Sequence, residues 1–202
     1  MPETCDGSEP LSPWRVGATA GWFDTDIVFD YKVAMSAATV MAQAAYQASP
    51  RLVVALGLGA VVDGTMAGAD IAPGPAGAAS LSWLALLETE RRPFALIGLS
   101  IAVSRASAVS DDGEEHSLTS GDGRVGAMVG KTFGAFTPYA AARAFGGPVL
   151  WTLAGEDQTG TDARHYTVGA GLSARPARRL DLSLELMPLG EKSATASATL
   201  AL

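Results

Sequence analysis

The stretch that decides the fold is RRLDLSLELMP, residues 178–188. Leu180, Leu182, Leu184 and Leu186 alternate with Asp181, Ser183 and Glu185. A period of two marks a strand, because successive side chains point to opposite faces. The strand can be read in two ways. In a soluble sheet the leucines face a core and the acids face water. In a membrane barrel the leucines face lipid and the acids face a lumen.

Composition favours the second reading. The chain has 202 residues, of which 48% are hydrophobic and only 17% charged; an ordinary soluble domain carries roughly 25% charged residues. The formal net charge of −7 argues against nucleic acid, whose phosphates require Lys and Arg. The single cysteine, Cys5, can form neither an intrachain disulfide nor a cysteine-based zinc cluster, and reads as a free cysteine in a tail. The longest apolar runs, LVVALGLGAVV (52–62) and FALIGLSIAV (94–103), are too short for a spanning helix. They match the roughly 9–11 residues of a tilted membrane strand.

The same alternation recurs along the chain. WRVGATAGWF (14–23) puts Trp14, Val16, Ala18, Ala20 and Trp22 on one face, bounded at both ends by tryptophan, as in the aromatic girdles of membrane barrels. Leu56 and Leu58 in 51–62, Trp83 in 78–88, Ile97, Leu99 and Ile101 in 93–105, and Leu182 and Leu184 in the opening stretch extend this apolar face. The opposite faces carry Gly, Ser, Thr and Ala, suited to a narrow lumen filled by small side chains. A face meeting bulk water would be rich in Lys and Glu. Residues 123–147 predict a hairpin, and 165–175 and 193–202 two more strands. Residues 31–48 alternate only as far as Ala37, and their Ala, Met and Gln favour helix, so that segment stands between strand and helix.

The expected fold is all-β, an up-and-down antiparallel transmembrane β-barrel of about ten strands, with eight as the alternative. Residues 1–13 read as a flexible tail and 14–202 as one barrel domain. Short connections at 49–51, 89–93, 137–138 and 175–178 alternate with long ones at 63–76, 106–122 and 148–164, as when tight turns lie at one end of a barrel and loops at the other. Arginines gather at the short turns, among them Arg51, Arg91, Arg92 and Arg178. Acids gather in the long connections, notably Asp111, Asp112, Glu114, Glu115, Glu156 and Asp157.

With its Gly-rich strand, short Pro turn and aromatic-led strand, GRVGAMVGKTFGAFTPYAAARAF (123–145) resembles the small outer-membrane β-barrel proteins of Gram-negative bacteria, of the OmpA transmembrane-domain type. The likeness extends as pattern over 14–202 and implies a bacterial outer-membrane location. Chains of that type usually end in an aromatic residue, where this one ends in TLAL.

No residue pattern points to catalysis, a cofactor or a bound metal. His116 and Ser117 invite comparison with a Ser/His pair, but nothing at a recognisable spacing supplies an orienting group or an oxyanion site, so they read as a polar loop dipeptide. DDGEEH (111–116) and GEDQTGTD (155–162) carry carboxylates but not the spacing of a calcium loop, and read as solvated charge. Arg15, Arg143, Asp181 and Glu185 fall on the lumen face, where each charge requires a partner. Lys131 breaks the pattern: it shares parity with Val125, Ala127 and Val129, which requires either a bulge or a side chain that snorkels. The expected role is structural or partner-binding, through long acidic extracellular loops. Its partners are the lipid bilayer and other envelope proteins or divalent cations at those loops. The alternatives are a small porin-like pore and a soluble lipid-binding barrel.

Overall fold

A computed structural model of the chain describes residues 12–109, 115–153 and 156–202. The described residues form thirteen strands: β1 (Trp14–Val28), β2 (Lys32–Ser49), β3 (Leu52–Met66), β4 (Ala69–Ala72), β5 (Gly74–Leu86), β6 (Phe94–Val109), β7 (Glu115–Gly130), β8 (Phe136–Gly146), β9 (Pro148–Leu153), β10 (Glu156–Asp162), β11 (Tyr166–Ala177), β12 (Leu180–Gly190) and β13 (Lys192–Ala201). All pairings are antiparallel, and β13 pairs with β1 from Arg15–Ala201 to Asp24–Lys192, which closes the sheet. Three consecutive couples run on as single staves: β4 with β5 between β3 and β6, β8 with β9 along β7, and β10 with β11 along β9 and β8. The barrel therefore has ten staves. The start of β1 and the end of β13 meet at the short-turn end, where the Ser12 amide donates to the Leu202 carbonyl at 3.0 Å.

β2 is strand throughout, although its composition favours helix. It pairs along β1 from Trp14–Tyr46 to Val28–Lys32 and along β3 on its other edge. Two complete ladders override a weak local propensity. The β7–β8 turn occupies 131–135 rather than 137–138. Pro138 lies inside β8, where its carbonyl accepts from the Lys131 amide at 3.2 Å.

On the lower part of the wall the bulky residues point outward. Trp14, Trp22, Leu56, Leu58, Trp83, Ile97, Leu99, Ile101, Leu182 and Leu184 are all exposed, Leu58 to 77%. Trp14 packs on Tyr46 with ring centroids 4.9 Å apart at the short-turn end, and Trp22 stands eight residues farther along the same face of β1. A soluble lipid-binding barrel would turn these side chains inward, so that alternative is overturned.

Past Trp22 the polarity of the wall inverts. Asp24 and Asp26 follow on the outer face of β1, and Asp26 pairs with Lys32 at 2.7 Å. Asp63, Asp70 and Arg105 are exposed on neighbouring staves. At this height the inner face becomes apolar: Ile27, Val33, Met35, Val61, Met66, Ile71, Leu118, Val149 and Trp151 form one buried cluster, with Met66 at 0% and Ile27 at 2% exposure. The staves are irregular near this level. β2 and β3 carry a register shift at Ala38–Thr39, leaving both Val62 and Asp63 exposed, and three staves are interrupted at Pro73, Gly147 and 163–165. Bulges and breaks of this kind re-aim side chains along a strand.

The inversion corrects the expectation of long loops. β3 runs to Met66 and turns tightly through Ala67 and Gly68, both at positive φ; β6 runs to Val109; β9 and β10 form a hairpin. Residues 63–76, 106–122 and 148–164 are mostly wall. Their pattern was masked because apolar residues change sides there. A charge placed on the outer apolar face of such a barrel costs about 2–4 kcal/mol near its middle. Leu184→Arg is therefore expected to block assembly into lipid vesicles, whereas Ser183→Asp, on the lumen face, is tolerated. In the upper part the rule reverses: Ile27→Asp unfolds the upper wall and Asp26→Leu does not. Heat-modifiable gel mobility and protease resistance of the reconstituted protein measure both pairs.

Candidate functional site

Among the described residues, three sets of ion pairs occupy the lumen. Nearest the short turns, Asp181 of β12 takes Arg175 Nε at 2.7 Å and Arg15 NH1 at 3.4 Å. Higher up, Arg143 of β8 reaches past β11 to Glu185 of β12 at 2.7 Å, and Glu185 is 9% exposed. The four charges expected on the lumen face thus combine as two pairs. Small residues make this possible: a Cβ on Gly126 would lie 2.7 Å from Arg143 Cγ, and one on Gly171 would collide with the Tyr139 ring. Lumen glycines are the spaces into which the long side chains of neighbouring staves lie.

The third group was not expected. Arg124 of β7 donates through NH1 and NH2 to the two oxygens of Glu191 at 2.8 and 3.1 Å. Its Nε bonds Asp122, and its guanidinium lies 4.7 Å from the centre of the Phe145 ring. Glu191 is only 3% exposed. It occupies the tight β12–β13 turn beside Gly190, whose φ is 85°, and its carbonyl accepts from Thr167 Oγ1 at 2.8 Å. A bidentate Arg–carboxylate pair is among the stronger polar contacts in proteins. The sequence carried a signal for Arg124, whose parity is opposite to that of Val125, Ala127 and Val129. It carried none for Glu191, which lies in a turn.

Lys131 neither points into the lumen nor snorkels from the wall. β7 ends at Gly130, and Lys131 closes the short-turn end, pairing with Glu88 at 3.4 Å and bonding the carbonyls of Thr89 and Glu90. Glu88 also accepts from the Thr132 amide and hydroxyl, each at 2.8 Å. The Thr132 amide bond is the main cause that holds this carboxyl below the usual glutamate range.

Of the acids placed in the long connections, Asp111, Asp112 and Glu114 lie outside the described residues. Glu115 opens β7, and Glu156 and Asp157 lie in β10. Among the described residues no three His, Cys, Asp or Glu side chains are grouped to hold a metal. His116 is buried, and Ser117 follows it on β7. Neighbours on a strand face opposite ways, so the two do not form a catalytic pair.

Above the lumen charges, β10 bridges a gap. β12 and β13 are short, and past their turn β10 pairs directly with β1 through Ile27–Asp162 and Val28–Thr161. Thr25 Oγ1 donates to Asp162 at 3.4 Å. Burial, with the Glu191 and Asp122 carboxylates adding to it, pushes the Asp162 carboxyl up to about 6.

No protein-family model matches the chain, and no curated protein matches it. Solved structures do. The outer membrane protease OmpT from Escherichia coli is similar at a TM-score of 0.52 and 8% identity, covering 96% of this chain and 99% of that one. The COG4313 outer membrane channel from Pseudomonas putida F1 gives 0.49 and 10%, with both chains covered completely. AlkL, solved in DMPC lipid bilayers, gives 0.48 and 11%, covering 100% and 97%. At these identities the likeness is one of fold. The chain has the fold of an outer-membrane β-barrel protein, with an antiparallel transmembrane wall.

Two measurements test this geometry. Removing one partner of a buried ion pair costs about 3–5 kcal/mol, more than replacing both with apolar groups. Arg143→Met alone is thus expected to lower resistance to urea more than Arg143→Met with Glu185→Leu. A raised carboxyl pKa makes folding bind a proton, so stability falls as pH rises from the ordinary aspartate value through about 6. Corrected for the intrinsic base-catalysed rate, the amides joining β10 to β1 should be less protected from hydrogen exchange at pH 7.5 than at pH 5, and Asp162→Asn should remove that contrast in protection.

Proposed function

We propose that this chain is an integral protein of the bacterial outer membrane whose work is structural or partner-binding, without enzymatic activity, and is done at the protruding upper wall. The observation that carries this reading is the inversion of polarity past Trp22. It gives the barrel an apolar plug where a pore would open to the outside, and it presents a polar outer face to water. Bulky apolar groups such as Met66 and Trp151 fill the upper lumen, and the Arg143–Glu185 and Arg124–Glu191 pairs cross it below. The outer face of the upper wall carries Asp24, Asp63 and Asp70. Such a surface suits another envelope protein with a basic patch, or divalent cations bridging it to a neighbour. The bilayer is the partner of the lower wall.

A second reading, a small channel, is favoured by cavities of about 250 and 230 Å3 that both border Arg124. Planar-bilayer recording separates the two. The structural reading expects folded protein that inserts without discrete conductance steps. It also expects steps to emerge when the plug is thinned by Trp151→Ala together with Met66→Ala. Steps from the unaltered protein would move the assignment to the channel.

A further inference from the structure

We propose that the chamber directly beneath the plug is a binding site for a small, neutral, apolar molecule, about one aromatic ring in size. The chamber has a volume of about 230 Å3. Its walls include Phe23, Met35, Met41, Val61, Ile71 and Leu118, which present only carbon and sulfur. Protein interiors are normally packed with few voids larger than a water. An apolar cavity of roughly 150 Å3 accepts benzene; this chamber is larger and apolar on part of its wall, with Thr39, Ser104, Ser120, Asp122 and Arg124 on the rest.

Small side chains keep the space open on one side. Ala76, Ala102 and Ala106 line it from β5 and β6. Ala102 shares the inner face with Asp122, its registered neighbour on β7, and is exposed there. A leucine or valine at these positions would close the chamber. Met35 and Met41 suit an aromatic guest, since a thioether adapts its shape and makes favourable contacts with ring edges.

The polar residues of the chamber argue for a neutral guest. Ser104 and Ser120 bond each other at 2.8 Å. Arg124 is already held by Glu191 and Asp122, so no unpaired cation awaits an anionic group, and two carboxylates, one of them with the buried and unpartnered Oδ1 of Asp122, would repel one. A charged guest would also lose its hydration against apolar walls. The neighbouring chamber of about 250 Å3 differs in kind, because Arg143, Ser80, Ser82 and Ser100 line it.

The test titrates fluorobenzene into detergent-folded protein and follows its fluorine resonance, with 2-fluorobenzoate as the charged probe. Saturable binding of fluorobenzene is expected, with 2-fluorobenzoate at least tenfold weaker. Ala102→Leu should weaken fluorobenzene at least tenfold, whereas Ala20→Leu, on the outer face, should not. Heat-modifiable mobility reports whether each variant is folded, and Ala76→Val replaces Ala102→Leu if the latter is not. Non-saturable partitioning alike in all folded proteins would overturn the site, as would undiminished binding in the cavity-filled variant. Equal binding of 2-fluorobenzoate would overturn its neutral character. These outcomes are independent of conductance, so the site and the proposed role can fail separately.

Discussion

What surrounds the wall changes partway up the barrel, and the rest of the structure follows from that. Strands in hydrocarbon must place apolar groups outward and satisfy every backbone group within a closed sheet. The same strands in water must do the opposite with their side chains. β1 obeys both rules without interruption, with Trp14 to Trp22 outside in its first part and Ile27 inside with Asp24 and Asp26 outside in its second. Staves that cannot change polarity by sequence alone are bulged or broken near that level, as at Asp63, Pro73 and Gly147.

The lumen solves two problems in the same way. In the lower part its walls are small, and the volume is taken up by a few long side chains that reach across a stave to a charge of opposite sign. Arg143 spans β11 to meet Glu185, and Arg15 spans β13 to meet Asp181. Isolated charges there would be costly, and pairing them ties non-adjacent staves together. In the upper part the volume is taken up by an ordinary hydrophobic core, where burial supplies the stabilisation. Arg124 and Glu191 lie near the junction, where the β12–β13 turn brings an acid over a lumen arginine.

Much of the lower wall was legible in the sequence, because alternation there is strict and uniform in sign. RRLDLSLELMP showed its outer leucines and its two inner acids, and the ten exposed apolar residues and the ten staves followed from the same pattern. The upper wall was not legible as strand. In FDTDI (23–27) the alternation persists but the apolar residues have moved to the other parity. A reading tuned to one sign takes that for a loop. Partner choice was only half visible, since Arg143 and Glu185 are separated by 42 residues and only the shear of the closed barrel brings them level. The β7–β8 turn was misplaced because Pro138 looked like a turn residue, whereas a proline is tolerated where no ladder donor is needed.

The plug also constrains what any transported or bound molecule can do. A water-filled pore needs a continuous polar path, and the cluster from Ile27 to Trp151 interrupts it with buried apolar side chains. A polar solute passing this level would lose its hydration shell. An apolar one would not, since the sides of the chamber formed by Phe23, Met35, Met41, Val61, Ile71 and Leu118 continue the carbon surface of the plug. If anything enters this lumen from the upper end, the wall chemistry therefore selects for the molecules least like those a porin conducts. The proposed closure to ions and the proposed acceptance of a small apolar guest are thus two consequences of one arrangement.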